Sequence, residues 1–344
     1  MIGGFFKTER VALGVLAALL GAAPAPARAE ASEVRIAEQY GIAYLPIHVA
    51  IERRLIEARA TAAGLSKVKI KLERFGGGIA VNQAVLSGRS DIGAGDIAAM
   101  VSLWARTRGG DSETRGMTAL ATMPLKFITN DPRVKTVKDY AGLGGHRIAL
   151  PSTKISAQAV VLQMAAEKAF GPGQHDRLDA MAAAMPHPWA SSALIAGHPA
   201  IKTHIATPPY SFREVASGKG RVIASSYDMV GGPHSSVVLF ATKKWKTANP
   251  KLFQAIDGAC REAIDWINAD FRRAATFYLE RMDARHDLSE IETVLADRGQ
   301  IVFDSVPTNT LSFAQFMQRT GAIEAKPAAW TDYFWETAHG PGGG

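Results

Sequence analysis

The sequence predicts a two-lobed α/β protein in which each lobe is a doubly wound, mainly parallel sheet with flanking helices. Short apolar strands alternate with amphipathic helices, and the same pattern starts again near the middle of the chain. Such alternation favours parallel sheets that carry helices on both faces. The 344 residues suit two domains or one large one. With 47% hydrophobic and 21% charged positions, the composition excludes a disordered chain.

The first thirty residues carry the features of a secretory signal peptide. Lys7 and Arg10 precede an apolar run over 11–23, and Ala27-Arg28-Ala29 has the small-x-small pattern of a cleavage site. The run is shorter than the about 20 residues that a membrane span needs. We therefore expect residues 1–29 to be removed by cleavage after Ala29 and the remainder to be exported.

The first lobe is predicted from three strands that each lead through a loop into a helix. The first helix carries Ile47, Ile51 and Leu55 at four-residue intervals, which places them on one face. The second helix, over 79–87, ends before Gly88. The three strands that precede these loops are predicted over 34–38, 68–72 and 91–94.

The pattern begins again with a strand over 147–150 and a helix over 156–170, which Gly171 ends. The segments 84–92 and 193–201 also resemble each other, because each combines a helix end, a glycine and the start of an apolar strand. This repetition predicts two similarly built lobes.

Two apolar segments, 125–129 and 236–242, flank the second lobe and are candidate crossovers between the lobes. After the second of them the chain becomes helical. We therefore expect lobe 1 to comprise 30–123 and 236–344, lobe 2 to comprise 124–235, and the hinge to lie near 123–129 and 235–242.

Three helices are predicted in the last hundred residues. Asn249-Pro250 is typical of a helix start, and Cys260 falls on the apolar face of the helix that follows. The motif Ser289-Glu290-Ile291-Glu292 has the form of a capping box, and the last helix is expected over 311–319. The single cysteine excludes an internal disulfide.

Four loops at the predicted carboxyl ends of strands are candidates for ligand binding. In an open α/β sheet, ligands bind where helix starts present free N–H groups. Glycines let the backbone approach a ligand, and Lys154 with Ser152 and Ser156 would add side-chain donors. Such loops suit an anion, although each one alone could be an ordinary turn. They lie at 40–46, 76–79, 95–98 and 152–156.

His187, Tyr210 and His234 stand beside prolines, in loops that would hold a ring toward a cleft; surface rings are the alternative. The histidines lack the spacing and acidic neighbours of a metal site, so neither a metal nor a cofactor is predicted. The sequence contains no GxSxG elbow and no suggestive pair of acids, so no catalytic residue is predicted. Positive charges exceed negative ones by seven but are scattered, which argues against nucleic acid.

Taken in order, several segments resemble the nitrate/sulfonate/taurine group of ABC-transporter substrate-binding proteins. The resemblance covers nearly the whole exported chain and depends on order and spacing, since no single motif is specific. It implies a type II periplasmic binding protein with a two-strand hinge. The segments are the signal peptide, Val34-Arg35-Ile36-Ala37, Leu45-Pro46-Ile47-His48-Val49-Ala50, Gly76-Gly77-Gly78, and the stretches 84–93, 249–251 and 263–270.

The resemblance further implies a monomer in the periplasm that encloses a small ligand and delivers it to a membrane ABC permease. An organic anion is expected, either a sulfonate, a taurine-like compound or an aromatic carboxylate. Its charged end would be held by Gly77, Gly78, Lys154 and Ser156. From the family positions and the ring-bearing loops together, the expected ligand-binding residues are Gln39, Tyr40, Tyr44, Gly77, Gly78, Asp96, Lys154, Ser156, His187, Tyr210 and His234.

The chain departs from the family pattern where acids are usual, with Trp189 and Ala200 instead. Three alternatives stay open. One is a protein that binds a pyrimidine precursor. Another is a thiamin-pyrimidine biosynthetic enzyme of the same fold, against which the signal peptide and the lack of a cysteine-rich iron motif both argue. The third is a ligand-sensing partner of a membrane receptor.

Overall fold

A computed structural model describes residue 1 and residues 29–283, 285–340 and 343–344. Most of the predicted signal peptide therefore lies outside the described residues. Within them, ten strands form two five-stranded sheets. The strands are β1 Glu33–Glu38, β2 Lys69–Arg74, β3 Ile92–Asp96, β4 Thr114–Thr122, β5 Lys126–Thr129, β6 Arg147–Leu150, β7 Ala182–Ala184, β8 Ile201–Ala206, β9 Arg221–Ser225 and β10 Ser235–Thr242.

The two sheets have the same topology. The first has the order β2-β1-β3-β10-β4 and the second the order β7-β6-β8-β5-β9. In each sheet the first three strands are parallel, and the fourth is antiparallel to both of its neighbours. The predicted α/β fold with two sheets is confirmed, and both sheets are mixed.

Two strands carry the chain between the sheets. β5 enters the second sheet directly after β4 of the first, and β10 returns to the first sheet after β9 of the second. Seven of the eight residues of β10 are buried, because β10 lies between β3 and β4. The segments that change sheets are therefore internal strands.

Helices fill the connections between parallel strands. Gly88 and Gly197 end equivalent helices of the two sheets with φ of 72° and 73°, so the repeated segments occupy equivalent positions. Of the helices among the described residues, none is long and apolar enough to cross a membrane. The α-helices are α1 Leu45–Glu52, α2 Leu55–Ala62, α3 Gly78–Leu86, α4 Ile97–Thr107, α5 Ala157–Phe170, α6 His187–Ile195, α7 Tyr210–Ala216, α8 Ser226–Val230, α9 Lys243–Ala248, α10 Pro250–Ala269, α11 Phe271–Arg281, α12 Leu288–Ala296 and α13 Leu311–Arg319.

The longest helix, α10, covers one face of the first sheet. Its residues Phe253, Ile256 and Cys260 are buried in the core on that face, as the apolar periodicity predicts. The Asn249 side chain does not cap the helix; its Oδ1 instead accepts a hydrogen bond from Ala31 N–H at 2.8 Å. This bond attaches the start of the described chain to α10.

A second core is shared by both sheets. Phe127 of β5 and Phe240 of β10 belong to it together with Phe313 of α13. On the surface of the same region, Arg319 of α13 pairs with Glu167 of α5 at 2.6 Å. The segment after β10 therefore packs against both halves of the molecule.

Phe240 lies over a glycine on its neighbouring strand. It pairs in register with Gly93 of β3, and a Cβ added at Gly93 would overlap the Phe240 ring. Because interior packing is dense, neither group has room to move far. Gly93 is thus required by packing rather than by its backbone angles.

We predict that Gly93→Ala lowers the free energy of unfolding by about 2 kcal/mol or more, because the methyl group overpacks the core. The measurement is urea denaturation followed by circular dichroism. The control is Gly110→Ala, at an exposed position where the nearest atom would be 3.9 Å away; this change should stay within about 0.5 kcal/mol. Equal effects of the two substitutions would contradict the packing argument.

Candidate functional site

The carboxyl ends of the parallel strands of the two sheets face each other across a closed cleft. Ile42 N–H, after β1, donates to the carbonyl of Pro208, after β8, at 3.2 Å. At Gly77, before α3, a Cβ would lie 2.6 Å from the carbonyl oxygen of Pro151, after β6. Loops from the two sheets are therefore in direct contact.

These loops enclose a small polar cavity. The space open to the centre of a water molecule is about 20 Å³, which is enough for water but far less than the several hundred Å³ of an organic ligand site. A larger ligand therefore requires the cleft to open. The lining residues are Gln39, Tyr40, Gly41, Ala43, Tyr44, Asp96, Leu125, Ala157, Gln158, His187, Thr207, His234, Ser236 and Val237.

Six of the predicted ligand-binding residues line this cavity: Gln39, Tyr40, Tyr44, Asp96, His187 and His234. Gly77 and Gly78 lie beside it. A Cβ at Gly78 would lie 2.8 Å from the Cβ of Ala99, in the first turn of α4. The two glycines therefore permit close approach between the loops.

Three side chains that are predicted to bind the ligand do not line the cavity. Lys154 is exposed to solvent. The Ser156 hydroxyl donates to the carbonyl of Ser152 at 2.6 Å and caps α5, so its hydrogen bonds are used within its own loop. Tyr210 is buried behind His187, with the two rings stacked 5.7 Å apart.

Asp96 joins the two halves of the site. As the N-cap of α4, its Oδ1 accepts hydrogen bonds from Ala99 N–H of the same helix and from Ala157 N–H at the start of α5, both at 2.9 Å. One carboxylate oxygen thus caps two helices that belong to different sheets. This contact uses the start of α5, which would otherwise be free to bind an anion.

Burial destabilises the ionised form of the Asp96 carboxyl group. Burial raises the pKa of Asp96 to about 6, although the backbone N–H groups of Ala99 and Ala157 oppose the rise. At pH 7 most molecules therefore carry an ionised carboxylate in the cavity wall.

His187 ends a chain of buried polar groups. Its Nδ1 is 2.8 Å from Nε2 of His204, whose Nδ1 is 2.6 Å from Oε1 of Glu214. On the cavity side, Gln158 Nε2 is 3.2 Å from Nε2 of His187. Burial, together with the neighbouring His204, holds the pKa of His187 well below its usual range. The chain therefore fixes a neutral imidazole in the wall.

His234 is held near the two crossover strands. Its Nε2 is 2.7 Å from the hydroxyl of Ser226, and that hydroxyl accepts from Leu125 N–H at 2.9 Å. The carbonyl oxygen of Ser235 is 3.1 Å from the other ring nitrogen. Burial lowers the pKa of His234 to about 4. Both ring nitrogens are engaged, so His234 shapes the cavity more than it binds.

Two aromatic rings meet at the edge of the cavity. Tyr40 from the first half contacts Trp189 of α6 edge to face, with ring centroids 5.7 Å apart. The Arg74 guanidinium lies 5.3 Å from the Tyr40 ring and pairs with the buried Glu38. Trp189 is 56% exposed. Because Tyr40 and Trp189 belong to different halves, separation of the lobes would break this contact.

Sequence reasoning missed Gln158, Thr207 and Ser236 as lining residues. Gln158 is in the first turn of α5, two residues beyond the candidate loop 152–156. Thr207 directly follows β8, of which the sequence predicts only the start, at the end of the segment 193–201. The signal that could have found both is their position immediately after a strand or at a helix start. Among the described residues, no group of three or more His, Cys, Asp or Glu could hold a metal ion.

A family model described as the NMT1-like family matches residues 27–279. No curated protein sequence matches the chain significantly.

Three solved structures illustrate the fold similarity. The alkanesulfonate-binding protein SsuA from Xanthomonas axonopodis pv. citri, bound to MOPS, has a TM-score of 0.67 at 18% identity, covering 89% of this chain and 99% of that one. SsuA from Escherichia coli has a TM-score of 0.64 at 18% identity, covering 90% of this chain and 99% of that one. The nitrate-binding protein NrtA from Synechocystis PCC 6803 has a TM-score of 0.68 at 14% identity, covering 88% of this chain and 84% of that one. These neighbours are substrate-binding proteins rather than enzymes.

We predict that Asp96→Asn stabilises the protein at pH 7.5 by about 1–3 kcal/mol and changes little at pH 4. A carboxyl group with a raised pKa in the folded state costs stability above that pKa and costs almost nothing below its unfolded value. The asparagine oxygen can keep both hydrogen bonds. Urea denaturation at the two pH values measures the difference. An equal gain, or a loss, at both pH values would contradict the assigned cost of ionisation.

Proposed function

The chain belongs to the NMT1-like family, and from this membership and the cleft we propose that it is the periplasmic solute-binding component of an ABC importer. The observation that carries the proposal is that loops from two separate sheets enclose one polar cavity. Binding between lobes lets a ligand bias the closed state through contacts to both. A permease would then receive the ligand from the closed, monomeric protein.

The charge of the cavity bears on the ligand class. No Lys or Arg is among the described residues that line it, whereas Asp96 adds a carboxylate. An anion about 5 Å from an ionised carboxylate is disfavoured by about 3 kcal/mol at an effective dielectric constant of about 20. This argues against the sulfonate or carboxylate that the resemblance implies.

We therefore propose a small polar ligand that is uncharged or positively charged where it meets Asp96. A nitrogen heterocycle such as a pyrimidine precursor belongs to this class. Tyr40 and Tyr44 supply aromatic walls for a planar compound, and His187 and Gln158 supply polar contacts at its edge.

The test is a thermal-shift screen of the chain that begins at residue 30, followed by a distance measurement. The screen contains sulfonates, carboxylates, nitrate, amides and pyrimidines, because a ligand bound only by the folded state raises the melting temperature. The distance between spin labels at Lys67→Cys and Lys219→Cys, both exposed and in different halves of the molecule, should change when the best compound is added. The native Cys260 is buried and should not react.

A purified-in ligand would mask the screen, so the protein is also denatured and its small molecules are identified by mass spectrometry. If no compound raises the melting temperature, no ligand is released and the labels do not move, the proposed receptor role is wrong.

We also predict that Lys154→Ala leaves the dissociation constant of the best compound within about twofold, because the Lys154 side chain is exposed and does not line the cavity. Gln158→Ala, which removes a lining amide, should weaken binding about tenfold. Isothermal titration calorimetry measures both. A large loss on Lys154→Ala alone would restore the anion site expected from the sequence.

A further inference from the structure

We infer that Asp96 is the specificity-determining residue of the cleft: its second carboxylate oxygen requires a ligand that donates a hydrogen bond. The class of ligand is therefore small amides, amidines and amines. The inference rests on the proposed solute-binding function and identifies the atom that selects the ligand.

The two oxygens of Asp96 have different surroundings. Oδ1 accepts the two backbone N–H groups that start α4 and α5. Oδ2 accepts neither of these bonds; it remains accessible from the cavity, which Asp96 lines although the residue is only 8% exposed. Water can solvate this oxygen while the cavity is empty, so a ligand that fills the cavity must replace that water with its own N–H or O–H or leave the oxygen without a donor.

A second unpaired acceptor points to the same chemistry. Gln158 is 5% exposed and lines the cavity, and its Oε1 has no partner among the described residues, since its Nε2 faces His187. Two acceptors that lack donors favour a ligand with two N–H groups. An anion brings only further acceptors.

The position of Asp96 couples this selection to closure. Oδ1 bonds across the cleft to Ala157 only when the lobes are together, and Oδ2 is then confined in the cavity. A donor on Oδ2 stabilises the ionised carboxylate, which is the form that accepts most strongly from Ala157. A ligand without a donor displaces water from Oδ2 and returns no hydrogen bond, so it favours the open form.

The experiment compares acetamidine, acetamide and acetate, which are nearly equal in size and shape but differ in hydrogen-bond donors and charge. Dissociation constants are measured at pH 7.5 by ligand-observed NMR titration. For the unaltered protein we expect acetamidine and acetamide to bind at least about tenfold more tightly than acetate. In Asp96→Asn, an amide N–H₂ replaces Oδ2, so acetate should gain and acetamidine should lose about tenfold.

The matched control is Asp91→Asn, which removes the same charge at the opposite end of β3, where Asp91 pairs with Arg35. It should leave the order of the three probes unchanged. The inference is overturned if acetate binds best to the unaltered protein, if the three bind equally or not at all, or if Asp96→Asn keeps the original order. The proposed function is judged separately, by the spin-label distance with the compound found in the screen.

Discussion

Each sheet of this protein takes its fourth strand from the segment that connects it to the other sheet. β5 and β10 are both antiparallel to their neighbours and both internal, so neither can leave without opening a sheet. Internal strands are the last part of a structure to open. The two halves therefore stay connected through their cores, and the carboxyl ends of the other strands keep facing each other. The cleft is a consequence of this exchange.

Within the cleft, the two halves meet through backbone contacts, such as Ile42 N–H with the carbonyl of Pro208, and through the ring contact of Tyr40 with Trp189. Asp96 differs from both, because its carboxylate accepts a hydrogen bond from the helix start of the other half. Its buried carboxylate raises the free energy of the closed state when no ligand is bound, and it selects the ligand that binds. The neutral rings of His187 and His234 add no opposite charge, so the electrostatics of the cavity depend mainly on one residue.

The sequence predicts the fold well because glycines and apolar periodicity mark the strand-to-helix junctions. It does not predict β4, because the Thr and Ala residues of this strand are buried on both faces and lack the alternation of a half-exposed strand. For the site, loop position identifies Asp96 but not the direction of a side chain. Lys154 has a long, flexible side chain that turns to solvent, while Gln158 is hidden in a mainly apolar helix.

The shared strand order has an evolutionary consequence. β3 and β8 occupy equivalent places in their sheets, so Asp96, at the end of β3, and Thr207, just after β8, are counterparts in two half-sites. Each half-site is built by its own sheet and its own helices. A substitution in one can therefore alter what the cleft accepts while the other continues to hold the shared part of the ligand. Such a duplicated architecture lets recognition diversify in steps, one half at a time, without rebuilding the fold.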